Sequence, residues 1–203
     1  MSMPNSSRGR ERLARILDAA TELFLRDGYG ETSIDSILEV SGGSKATLYN
    51  YFPTKDDLFR AVIDEVMAAD LPPRLDAGAD PRKTLIDLSV QRLEIVFSAQ
   101  HRALLRLIIA ERDRFPDLAQ MYYERAPMRT RKLLSGYLRG LEERGVLAPD
   151  TAEEAAEFFI GMVAHEWILE VLLLGGHQQP TSDAIRERAT RVVDRLLRAF
   201  HAD

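Results

Sequence analysis

Apolar side chains recur along this chain at steps of three and four, and no stretch alternates in twos. The pattern therefore predicts helices throughout and no strand. A first helix is expected from about Arg8 to Arg26, where Leu13, Ile16, Leu17, Ala20, Leu23 and Phe24 form one stripe that Gly28-Tyr29-Gly30 terminates. Two short helices follow between Thr32 and Lys55. Ile34, Ile37 and Leu38 come after Thr32 and Ser33, which can cap a helix start, and Gly42-Gly43 breaks the run. Ser44 then caps Lys45 to Tyr51, and Pro53 closes that segment. Two short helices joined by a glycine-containing turn are a helix-turn-helix signature, whose second helix enters the major groove.

A fourth helix starts after Thr54, with Leu58, Phe59, Val62, Ile63 and Val66 on its buried face. Leu71-Pro72-Pro73 marks the clearest boundary. Beyond it Asp80 caps, and Pro81 opens, a fifth helix running to about Ser98. A sixth, Arg102 to Arg114, is nearly continuously apolar at Leu104, Leu105, Leu107, Ile108 and Ile109 and should be buried on most sides. A seventh, Pro116 to Arg144, should be kinked by Pro127 and ended by Gly145 and Pro149. The eighth, Thr151 to Leu174, is apolar all round and calls for two partners, its own domain and the same helix of a second copy. Gly175-Gly176 and Pro180 precede a ninth, Ser182 to Phe200, whose Ile185, Ala189, Val192, Val193, Leu196 and Leu197 stripe is expected to complete a four-helix dimer interface.

The expected fold is all-α with about nine helices. Residues 1–7 form a disordered tail, 8–53 a three-helix DNA-binding domain of helix-turn-helix type, 54–70 a connecting helix, and 71–203 a larger ligand-binding and dimerisation domain.

Composition narrows the function. The chain has 203 residues, of which 45% are apolar and 29% charged, and a net charge of −5. That balance argues against a general polyanion binder, so any nucleic-acid contact must be local. From Val40 to Lys55 the only charges are Lys45 and Lys55, and Arg8, Arg10, Arg12 and Arg15 face Glu11 alone. Arg8 and Arg10 can reach DNA backbone or minor groove. Tyr49, Asn50 and Tyr51 offer groups that bond phosphates or base edges, while Leu48 and Phe52 turn inward. There is no cysteine, hence no disulfide and no thiolate metal site. No apolar run reaches the roughly 20 residues that span a bilayer, and no signal-peptide core is present, so a cytoplasmic protein is expected.

The residues Thr32-Ser33-Ile34, Ile37, Gly42, Ser44, Thr47-Leu48-Tyr49, Phe52, Lys55 and Leu58 resemble the N-terminal signature of TetR-family transcriptional regulators. The resemblance implies phosphate contacts by Thr32 and Lys55 and backbone packing by Tyr49 and Tyr51. It makes Lys45, Ala46, Thr47 and Asn50, on the helix that Ser44 opens, the candidates for base or groove contacts. Gly43 stands where the family usually has a small apolar residue, Leu38 where it has alanine, and Tyr51 where histidine is frequent. The segment from Arg106 to Leu147, with Ile108-Ile109-Ala110-Glu111 ahead of Arg114-Phe115-Pro116-Asp117-Leu118, resembles the effector domain of AefR-like members. Together these imply a ligand-responsive repressor.

No catalytic constellation is present. His101, His165, His177 and His201 have no metal-ligand partner at helical spacing, and His165 is expected as a buried structural histidine on the eighth helix. No cofactor is expected. An apolar pocket for a small apolar or amphipathic ligand would draw polar groups from Arg92, Glu111, Tyr122 and Tyr123 and walls from Met121, Phe159, Met162 and Trp167. The expected function is a homodimeric repressor, paired through residues 151–174 and 182–200 and released from a palindromic double-stranded DNA operator by that ligand. The alternatives are an activator of the same family, a helical dimer that no longer reads DNA, and, more remotely, a helical-bundle enzyme.

Overall fold

A computed structural model describes residues 7–68, 75–76, 78–174 and 180–202. Residues 1–6, Pro72-Pro73, Gly175-Gly176 and His177 lie outside the described residues. The chain divides into two compact units. The first comprises residues up to 69 together with 103–125, and the second 70–102 together with 126–203.

In the first unit, α1 spans Ser7–Asp27, so the helix takes in Ser7 as well. Its stripe from Leu13 to Phe24 is buried. The Gly28 N–H bonds the Phe24 carbonyl at 3.1 Å, and Gly28 adopts the left-handed φ of +94° that ends a helix without a Cβ penalty. α2 spans Ile34–Ser41, α3 Lys45–Tyr51 and α4 Lys55–Ala68. Three side chains cap them as expected from their hydroxyls: Ser33 accepts from the Ser36 N–H, Ser44 from Thr47, and Thr54 from Asp57, at 3.0, 3.2 and 3.0 Å. Phe24, Ile37, Leu48, Phe52, Leu58 and Phe59 are at most 1% exposed and form the core. Full burial of each such side chain contributes about 1.5–3 kcal/mol. Phe24, Tyr29 and Phe59 stack within 5.5 Å of one another, and Phe115 closes on Tyr29 at 5.0 Å.

Phe115 belongs to the turn between α6, Ala99–Glu111, and α7, Pro116–Tyr123. α7 packs on α4. Most of α6 and all of α7 therefore sit with the N-terminal helices, although the sequence places them in the larger domain.

The helix that Pro127 was expected to kink contains a π-helical turn, Glu124–Met128, between α7 and α8, Arg129–Glu143. Proline has no N–H and its ring crowds the preceding turn; one wider turn accommodates both. The Ala126 carbonyl accepts from the Thr130 hydroxyl at 3.0 Å. Counting that rod once, nine helices stand among the described residues. They form no strand beyond one isolated bridge, Leu147 to His201.

The second unit packs α5, Pro81–Phe97, α8, α9, Ala152–Leu174, and α10, Ser182–Ala199. Asp80 caps α5 through the Arg82 N–H at 2.9 Å, and Pro81 sits in its first turn. Leu85, Leu93, Leu134, Leu138, Phe159 and Val193 are central to one apolar core. The α10 stripe, expected at a dimer interface, is instead part of this core. Ile185, Ala189, Val192, Val193 and Leu196 are buried within their own chain, because α10 lies against α5 and α9.

The histidines also differ from expectation. His165 is exposed, since the polar pair His165-Glu166 occupies an outward position on α9. Among the described histidines His101 is the buried one, at 3% exposure, and burial lowers its pKa to about 4, against a smaller rise from the Val96 backbone and a further lowering by Arg92.

Candidate nucleic-acid interface

The α2–α3 pair is built on two anchors. Leu48 on α3 and Phe52 at its C-cap are fully buried and bring the opposite face of the helix to the surface. On that face Ser44, Lys45, Ala46, Tyr49 and Asn50 are exposed, with Tyr49 at 44%. Thr47 is half-buried, its hydroxyl 3.0 Å from the capping hydroxyl of Ser44. Tyr51 is half-buried beside Phe52. It helps line a cleft of about 320 Å³ with Pro53, Asp57, Arg60, Asp64 and Arg125, in which Arg60 pairs with Asp57 and Arg125 with Asp64.

The turn before α3 needs glycine at one position above all. Gly43 has φ +141°, a backbone region that residues with a Cβ rarely adopt, and a Cβ there would meet only Leu38 Cδ2, at 3.9 Å. Two of the three departures from the family pattern, Gly43 and Leu38, are thus neighbours: the longer Leu38 side chain reaches toward the position where Gly43 carries none.

The remaining candidates divide. Arg8 and Arg10 are exposed on the first turn of α1. Thr32 is 2% exposed, and its hydroxyl donates to the Gly28 and Leu23 carbonyls at 2.8 and 3.2 Å. The hydroxyl ties α1 to the start of α2 and is not presented to a phosphate. Lys55 lies with its Nζ 4.3 Å above the Tyr29 ring, and burial lowers its pKa. The Tyr29 hydroxyl, raised above the usual tyrosine range chiefly by burial, donates to Asp56.

Behind this face, one carboxylate from far along the chain holds the α1–α2 turn. The Gly30 N–H donates to Glu111 Oε1 at 3.1 Å, and Arg114 pairs with Glu31 at 3.2 Å. A Cβ at Gly30 would approach Arg114 Nη1 to 2.8 Å, so the Arg114 guanidinium would have to shift to admit one. Lys45 in turn pairs with Asp35 on α2 at 2.7 Å, which raises its pKa. Neither Asp35 nor Tyr29 stands out in the sequence as a site residue. The helical period shows only that Asp35 lies off the Ile34-Ile37-Leu38 stripe, not that it meets Lys45.

Of the effector candidates, Glu111, Met121 and Tyr122 belong to the first unit and Arg92, Phe159, Met162 and Trp167 to the second. In the second unit Trp167 is half-buried, 5.2 Å from Phe97 and 4.7 Å from the Arg188 guanidinium, which donates to the Val163 and Met162 carbonyls. No group of His, Asp and Glu among the described residues could hold a metal ion. No described helix is long and apolar enough to cross a membrane.

Residues 16–62 match the model of bacterial regulatory proteins of the tetR family, and residues 83–202 that of the AefR-like transcriptional repressor C-terminal domain. Among curated relatives, the HTH-type transcriptional repressor SCO4008 of Streptomyces coelicolor is 29% identical over 192 residues, covering 90% of this chain and 95% of the relative. The uncharacterized HTH-type transcriptional regulator YvkB of Bacillus subtilis is 27% identical, covering 73% and 77%. Among solved structures, the Flavonoid-responsive Regulator FrrA superposes with a TM-score of 0.78 at 33% identity, covering 94% of this chain and 97% of that one.

Proposed function

Because the chain belongs to the TetR family of bacterial transcriptional regulators and is not an enzyme, we propose that it is a homodimeric, cytoplasmic repressor that a small-molecule effector releases from a palindromic operator. The observation that carries the reading is α3 itself, anchored by Leu48 and Phe52 and presenting Lys45, Ala46, Tyr49 and Asn50 to solvent. Asn50 supplies the amide that pairs bidentately with adenine, Lys45 reaches phosphate or guanine, and Tyr49 packs against the backbone. Arg8 and Arg10 extend the contact along the duplex. Lys55 joins them by leaving the Tyr29 ring for a phosphate.

The second head comes from a second copy. Phe158, Leu169, Leu173 and Leu174 of α9 stand in solvent at 52, 45, 78 and 64% exposure, an apolar face suited to the same face of a partner. The effector is an aromatic, largely apolar molecule, a class supported by the name of the flavonoid-responsive relative. Phe159, Met162 and Trp167 offer apolar contact and Arg92 a charge. Release requires the effector to bind the DNA-incompetent state more tightly, since equal affinity shifts nothing.

The test uses an operator duplex recovered from a random pool by the purified protein, then titrated with a flavanone. The complex should dissociate as the flavanone rises. A flavanone that binds the protein yet leaves operator affinity unchanged contradicts release by this class.

A further inference from the structure

Asp35 lies in the first turn of α2 and Lys45 at the first position of α3. The Lys45 Nζ is 2.7 Å from one oxygen of the Asp35 carboxylate and 2.9 Å from the other. The side chains are 59% and 72% exposed, so the pair is at the surface and not part of the core. An exposed pair of this kind contributes little to folding. A carboxylate in a first helical turn suits the helix dipole, but the dipole does not require a partner on the next helix.

Position gives the pair a different use. The N-terminal residues of a recognition helix are those that contact base edges, and Lys45 is the first of them here. A lysine donates to the O6 and N7 of guanine, and a carboxylate accepts from the N4 amino group of cytosine. Those groups stand side by side on the major-groove edge of one G·C pair. We propose that Asp35 and Lys45 act together as a reader of a single G·C base pair in each half-site, Lys45 donating to the guanine and Asp35 accepting from its cytosine. The inference rests on the reading of α3 as the DNA-contacting helix.

The carboxylate also supplies rejection. It can only accept, so facing guanine O6 or thymine O4 it meets another acceptor and repels it, with no hydrogen bond to offset the approach of phosphate charge. A reversed C·G pair therefore loses both contacts. An overall net charge of −5 is compatible with this arrangement, because Asp35 penalises DNA that lacks the right pair in the right orientation.

The experiment is a single-base-pair scan of the wild-type operator, measured by competition binding with the full-length wild type, Asp35→Asn and Lys45→Met. The wild type should show one position per half-site where G·C is preferred and reversal costs about tenfold or more, the discrimination expected of such contacts. Both variants should flatten preference at that same position and leave the others in place. Asp35→Asn should also bind unrelated duplex more tightly, by about threefold. The inference is overturned if Asp35→Asn raises affinity uniformly with the scan unchanged, or if the two variants relax different positions. A wild type that selects no operator overturns the DNA reading itself, and this inference with it.

Discussion

The short helix α3 and the long helix α9 expose opposite chemistries. α3 has seven residues and turns Lys45, Tyr49 and Asn50 outward around the single buried Leu48. α9 has 23 residues, buries Ala155, Ala156, Phe159, Val163 and Val171, and still leaves Phe158, Leu169, Leu173 and Leu174 in solvent. Exposed donors and acceptors call for a polar lattice such as DNA, whereas exposed leucines call for a second apolar face. The contrast with α10 sharpens the point. α10 buries all of its apolar stripe but Leu197, which is half-buried, in its own unit, so an apolar helix is not by itself an interface.

The comparison breaks most visibly if α9 is made polar. Replacing Leu169 and Leu173 by glutamate should yield a monomer by sedimentation and cut operator affinity by about 10²–10⁴-fold, the loss expected when two linked contacts become one. Melting of the second unit should change little, since both side chains are already exposed. A variant that stays dimeric with unchanged affinity would move the interface elsewhere.

Truncation of the head's core comes next. Phe24→Ala removes a fully buried ring that stacks on Tyr29 and Phe59, and should cost about 3–5 kcal/mol in urea unfolding followed at the first unit.

His101 tests the second unit without touching either surface. Its folded pKa of about 4 lies below the ordinary histidine value of 6.5, so the unfolded chain binds the extra proton between those values. The stabilisation from keeping this histidine neutral is fully present above pH 6.5 and is lost as pH falls toward 4, by up to about 3 kcal/mol. His101→Leu should flatten that part of the stability-pH profile. A slope that persists unchanged would place the titrating group elsewhere.

Smaller effects refine the head. Gly43→Ala should cost about 1–3 kcal/mol, because the strain lies in the backbone conformation and not in the surrounding space. Lys55→Ala should reduce the slope of log affinity against log salt by about 0.9, with little change in which sequences are preferred. An unchanged slope would leave Lys55 over Tyr29 in the complex as well.

How much of this the sequence discloses depends on the range of the contact. The caps Ser44, Thr54 and Asp80 act within three residues of themselves, so they are legible, and the helix Lys45–Tyr51 that Ser44 implies is the one observed. The seat of Glu111 on Gly30 spans 81 residues and the Asp35–Lys45 pair spans ten, and a contact between elements leaves no period to read. Glu111 looks like a polar group near the end of an apolar helix, which suggests a ligand; the structure adds that its Oε1 accepts from a backbone N–H. Thr32 illustrates the same limit within the motif. A threonine next to a serine at a helix start reads as a cap or a phosphate contact, and only packing reveals that its hydroxyl faces inward while Ser33 takes the cap. Likewise the stripe on α10 announces that a face is buried without saying against what.

The central claim is that two copies of α3, paired through the second units, read one duplex together. In vitro selection from random duplex DNA with the wild-type protein at physiological salt tests it most directly. The account predicts an inverted repeat whose half-sites are centred about 10 base pairs apart or a multiple of that, so that both lie on one face of the helix. A single unrepeated motif, or a pool that stays random, would contradict it.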